Sequence, residues 1–123
     1  MIKTVYHFAD LHIRCGENDS RFSDYTHCFA QLRTFFQNKD SSSSIVVVCG
    51  DIFHIKGKTD VYAIKLLDIF IKSFPNDLQI FIIRGNHDLE ANLPSKPDLL
   101  EILLQKYNNV TYIKETTYFK YKN

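Results

Sequence analysis

Two apolar runs limit what this chain can become. Residues 45–49 (IVVVC) are unbroken and rich in β-branched side chains, and residues 78–83 (LQIFII) are nearly so. Runs this short, bounded by turn formers, describe strands buried on both faces, as in parallel sheets. Parallel strands need long crossovers, usually helical. The segments between the runs can supply them. Residues 25–37 place Phe29, Leu32 and Phe36 at spacings of three and four, with Cys28 and Phe35 beside them. Asp60 can cap a second helix with Ile64, Leu67, Phe70 and Ile71 on its apolar face, stopped by Pro75, Asn76 and Asp77. Ser95, Lys96 and Pro97 suit the opening of a third, with Leu99, Leu100, Leu103 and Leu104 as its stripe.

Two further strands are expected, at residues 2–8 and, after Asn108 and Asn109, at 110–114. Residues 14–24 read as a loop and Ser41 to Ser44 as a turn, and the last eight residues could start a fifth strand. The order β-α-β-α-β-α-β predicts an α/β fold, a mostly parallel sheet with flanking helices and right-handed crossovers. A length of 123 residues suits one domain, and 45% hydrophobic with 24% charged residues is ordinary globular composition. The formal net charge of +1 offers no bulk attraction to nucleic acid. No apolar run approaches the ~20 residues of a membrane span. The start, MIKTVYHF, lacks the apolar core of a signal peptide. Cys15, Cys28 and Cys49 are odd in number and far apart, which suits reduced thiols in an intracellular, unsecreted protein of cytoplasm or nucleus.

Polar clusters follow three of the strands. Asp10 and His12 follow the first, Gly50 and Asp51 the second, and Asn86, His87 and Asp88 the third. Ligands of open α/β sheets gather at the carboxyl ends of strands, so the three clusters should converge on one edge. Carboxylates, imidazole and an amide oxygen suit divalent ions such as Mn²⁺ and Fe²⁺, and less exclusively Zn²⁺. In D-x-H, two side chains two residues apart on an extended strand end point to the same side. Gly50 allows a sharp turn before Asp51. Alone, D-x-H suits a surface loop and G-D a turn; the ordered triple carries the metal-site reading.

D-L-H, then G-D-I-F-H, then G-N-H-D resembles the calcineurin-like metallophosphoesterases. The wording FADLHI, VVVCGDIFHIKGKT and IFIIRGNHD is similar to the SbcD-type nuclease subunit of double-strand-break repair. The resemblance covers most of this chain but only the N-terminal part of a typical member. It implies the first half of a four-layer αββα sandwich, over residues 1–123. It also implies two divalent ions, Mn²⁺ foremost with Fe²⁺ or Zn²⁺ as alternatives, and phosphodiester hydrolysis without a covalent enzyme intermediate. Asp10 and His12 are then ligands of the first ion, Asp51 bridges, and Asn86 serves the second. His87 stabilises the transition state or protonates the leaving oxygen, and Asp88 orients it. His54 and Arg84 are candidate substrate contacts, and Lys56 could approach a phosphate. By the same resemblance the partners are DNA and an SbcC/Rad50-like ATPase, with a homodimer possible and no membrane.

The resemblance also calls for histidines on later strands, one for the second ion and a G-H-x-H pair. The five histidines here are His7, His12, His27, His54 and His87, and none follows His87. His7 and His27 read as structural. The second site is therefore expected to be incomplete in this chain. Two readings follow: an N-terminal fragment or split enzyme of nuclease type, or a degenerate, inactive metal- or partner-binding module. A phosphatase or phosphodiesterase acting on a substrate other than DNA would share the same core.

Overall fold

A computed structural model describes residues 1–14, 21–54, 60–86, 88 and 98–120. The elements run β1 (Thr4–Ala9), α1 (Arg21–Phe36), β2 (Ser44–Cys49), α2 (Val61–Ile71), β3 (Gln79–Ile83), α3 (Leu99–Leu104) and β4 (Val110–Ile113). The strands are all parallel and lie side by side in sequence order. This is the expected α/β arrangement. Each crossover steps one strand in the same direction, so right-handed connections bring all three helices to one face.

Register makes that face apolar. Tyr6 pairs with Val46, Val46 with Ile80, and Ile80 with Val110. Phe8, Val48, Ile82 and Tyr112 form the next row. Val46, Val48, Ile80 and Ile82 are at 0% exposure. Phe29 and Phe36 of α1, Leu66, Leu67 and Phe70 of α2, and Leu100 and Leu104 of α3 close over them. The Phe70 ring centroid lies 5.2 Å from those of Phe29 and Phe74 and 5.8 Å from that of Phe8. Residues of the opposite parity, among them Val5, His7, Cys49, Phe81 and Ile83, point to the other face. Val5 and Ile83 are exposed there, His7 Nε2 lies 3.2 Å from Cys49 Sγ, and the Phe119 ring packs 5.2 Å from Phe81.

Several boundaries differ from the sequence expectation, each for a visible reason. α1 starts at Arg21, inside the expected loop, because Phe22 and Tyr25 continue the stripe of Phe29, Leu32 and Phe36 and pack on the core. α2 begins as expected, with the Asp60 carboxylate accepting from the Ala63 N–H at 2.8 Å. Leu78 is buried but belongs to a turn, donating its N–H to Pro75 O at 3.0 Å, so β3 starts at Gln79. The expected opening of the third helix at residues 95–97 lies outside the described residues. Within them α3 starts at Leu99, capped by Asp98. Residues 116–120 form no strand, and 121–123 lie outside the described part.

Candidate metal centre

Both loops that follow β1 and β2 leave the sheet through left-handed backbone. Asp10 has φ 54°, His12 φ 44°, Gly50 φ 68° and Asp51 φ 52°. The expectation that Asp10 and His12 share a side on extended backbone is therefore corrected. They come together through two left-handed kinks, with Leu11 between them. Beyond the kinks the strands pair again. His12 N–H donates to Asp51 O at 2.9 Å and Ile13 N–H to Ile52 O at 2.7 Å, and Ile13 forms a parallel bridge with Phe53. Ile13, Ile52 and Phe53 are buried and anchor the loops from below. From α1, the Tyr25 hydroxyl donates to His12 O at 3.0 Å and Leu11 O at 3.3 Å, tying the helix to the D-L-H loop.

The kinks bring three side chains together. His12 Nε2 lies 3.6 Å from Asp10 Oδ1 and 4.0 Å from Asp51 Oδ2. One ligand atom from each of the three lies within 4.8 Å of the others. Donors bonded at ~2.0–2.2 Å to one ion lie no more than about 4.4 Å apart, and both measured pairs fall inside that limit. A mixed carboxylate and imidazole set is chemically suited to a divalent cation. Asp51 is largely buried at 17% side-chain exposure, whereas Asp10, at 66%, faces solvent.

Close backbone contact explains the glycines. A Cβ on Gly50 would fall 2.6 Å from Gly85 Cα, and one on Gly85 would fall 2.4 Å from both Asp51 N and Asp51 Oδ1. The loops after β2 and β3 therefore touch main chain to main chain, and Gly50 serves for more than the turn. Asp88 sits at the same junction. Its carboxylate accepts N–H groups of Asp51 at 3.0 Å, Ile52 at 3.1 Å and Gly85 at 2.8 Å. Burial pushes the Asp88 carboxyl up, with the Asp51 charge adding to it, while the three N–H donors pull the other way.

Arg84 is placed away from open solvent. Its side chain is 10% exposed, with Nη1 3.9 Å from Asp98 Oδ2. Asp98 in turn accepts the Tyr112 hydroxyl at 2.9 Å and caps α3 through the Glu101 N–H at 2.8 Å. Burial, then the Asp98 charge, pushes the Tyr112 hydroxyl up. The end of β3 and the start of α3 are thus tied together through Arg84 and Asp98. Asp98 has no part in the sequence reading above. Its signal was the D-x-x-E spacing of Asp98 and Glu101, a capping pattern next to the more prominent Pro97. Asn86 follows β3 at the same edge and is exposed. His54 is exposed, with its ring centroid 5.8 Å from that of His12. His87 and Lys56 lie outside the described residues.

Among the described residues, no helix is long and apolar enough to cross a membrane. A family model described as calcineurin-like phosphoesterase matches residues 3–122. An uncharacterised protein of Acanthamoeba polyphaga mimivirus is 27% identical over 126 residues, covering 99% of this chain. The chain spans 9% of the length of that curated relative.

Proposed function

The chain belongs to the calcineurin-like phosphoesterases, and we propose that its Asp10, His12 and Asp51 hold a divalent cation for phosphoester hydrolysis. The observation that carries this reading is the meeting of those three ligand atoms at the carboxyl ends of β1 and β2. When bound, divalent ions polarise a phosphoryl oxygen and lower the pKa of water, so hydrolysis can run at neutral pH. The chain's own residues supply the rest. Asp10, His12 and Asp51 orient their donors through the left-handed kinks, and Tyr25 holds the D-L-H loop from α1. Asn86, on the adjoining loop, is the contribution to a second ion. No histidine follows His87 in this sequence, so the second ion is held weakly by these residues alone.

For substrate, the wording around the three motifs favours a DNA phosphodiester, with Mn²⁺ as the working metal. A phosphomonoester substrate and a purely metal-binding module are the competing outcomes. The test is a Mn²⁺ titration of the 123-residue chain, followed by cleavage assays on linear duplex DNA and p-nitrophenyl phosphate. One tightly held ion per chain is expected, and Asp51→Asn should abolish it by removing the central negative charge. Hydrolysis should be slow, and faster for DNA than for the monoester. A wild-type chain that takes up no Mn²⁺ ends the metal-centre reading. Preference for the monoester ends the nuclease reading and leaves the metal centre standing.

A further inference from the structure

Asp88 is 9% exposed and joins the loop after β2, which carries Asp51, to its own loop after β3. Oδ2 accepts from Asp51 N and Gly85 N, one on each loop, and Oδ1 accepts from Ile52 N. Two N–H groups that converge on one point repel each other unless an acceptor lies between them. Buried and unpaired, each would also keep the cost of its lost hydration. The Asp51 N–H finds an acceptor in Asp88 at the point where the backbone turns left-handed through Gly50 and Asp51. A carboxylate is the one side chain that offers acceptors on two oxygens and no donor. Its reach is short, so it works only where the loops are already in main-chain contact, as Gly50 and Gly85 allow.

We infer that Asp88 is a positioning residue of the metal centre, the joint that fixes the Asp51 main chain, and hence its carboxylate, against the loop bearing Asn86. The inference rests on the metal-centre reading above. It gives Asp88 a role through backbone N–H groups, in addition to any contact with the neighbouring His87.

The test compares wild-type chain with Asp88→Asn. Asparagine keeps the size and one acceptor oxygen, but it turns an NH₂ toward a backbone N–H. Mn²⁺ affinity is read from paramagnetic broadening of the amide resonances of Asp10, His12 and Asp51, well below the melting temperature measured without metal. Loss of outer support of this kind typically weakens metal binding about 10–100-fold, and that is the expected result for the folded variant. A residue that only stabilises the fold would lower the melting temperature and leave the Mn²⁺ affinity of the folded chain unchanged. That outcome overturns the inference while the metal centre stands. Should wild-type chain show no broadening, the metal-centre reading fails and the inference with it. If Asp88→Asn does not fold, Asp88→Glu carries the same comparison. It keeps both acceptor oxygens and displaces them by one methylene, and wild-type affinity there is equally fatal.

Discussion

Under the helices the sheet is held by packing, whereas at its carboxyl edge it is held by hydrogen bonds between side chains and bent backbone. Val46, Val48, Ile80 and Ile82 lie in regular parallel register with no exposure. A few residues on, Asp10, His12 and Asp51 have positive φ, and all three are candidate ligands. A non-glycine residue held there costs of the order of 1 kcal/mol, less for Asp than for a β-branched residue. The rim therefore keeps a geometry that the core must hold in place. The two regions should respond oppositely to substitution. Changes in the core should cost stability, and changes at the edge should cost metal binding with little loss of fold.

The largest effect belongs to the core. Phe70 is 1% exposed and packs against the rings of Phe8, Phe29 and Phe74. Phe70→Ala should lower the free energy of unfolding by about 3–5 kcal/mol, measured by urea denaturation with an unchanged slope. Mn²⁺ affinity of the remaining folded chain should stay as in wild type. A loss under about 1 kcal/mol would mean that the helical layer does not hold the sheet, and the contrast would collapse.

At the edge the expected effect on stability is smaller and its sign can reverse. Asp51→Gly removes a ligand and places glycine at φ 52°, where it sits without strain. It also removes a carboxylate that faces Asp10 across His12. Mn²⁺ binding should vanish, while stability without metal should hold or rise by up to about 1 kcal/mol. Asp51→Val, β-branched at the same φ, should instead destabilise by about 1–2 kcal/mol. Equal stability of the two variants would show that the left-handed backbone is not strained, and the comparison would lose its basis.

The difference between the regions also governs what could be read in advance. The strands and helices under the core were legible because periodicity is local: IVVVC and the Phe29, Leu32, Phe36 stripe announce themselves. The meeting of Asp10, His12 and Asp51 was legible because a polar motif follows each of two apolar runs. The backbone that aims them was not. Nothing local marks Asp10 and His12 as left-handed, since the kinks depend on pairing with residues 51–54 across the sheet. Asp88 serving the N–H groups of Asp51 and Ile52, and Arg84 facing Asp98, depend likewise on contacts between loops distant in sequence. α1 starting at Arg21 was available in the spacing of Phe22 and Tyr25, but polar neighbours on every side masked it.

The smallest effect sharpens the contrast between a carboxylate that holds structure and the candidate ligands at the edge. Asp68, on α2, accepts from Lys72 Nζ at 2.7 Å, from the Tyr107 hydroxyl, and lies 3.0 Å from Lys106 Nζ. Burial alone would raise its carboxyl. The bonds from Lys72, Tyr107 and Lys106, with the Lys106 charge, outweigh that and hold it at about 2. An unfolded Asp titrates near ~3.9, so the folded pKa is depressed. Its contribution to stability is then full above about pH 4 and disappears as pH falls toward 2. Lys72 and Lys106 are more than half exposed, so solvent screening keeps that contribution below about 1 kcal/mol. Asp68→Asn should be less stable than wild type at pH 5, and urea midpoints of the two should converge between pH 4 and 2. Carboxylates common to both proteins titrate equally in each, so the difference isolates Asp68. A gap that stays constant from pH 5 to pH 2 would mean that the contacts with Lys72, Tyr107 and Lys106 do not tie this carboxylate to the fold.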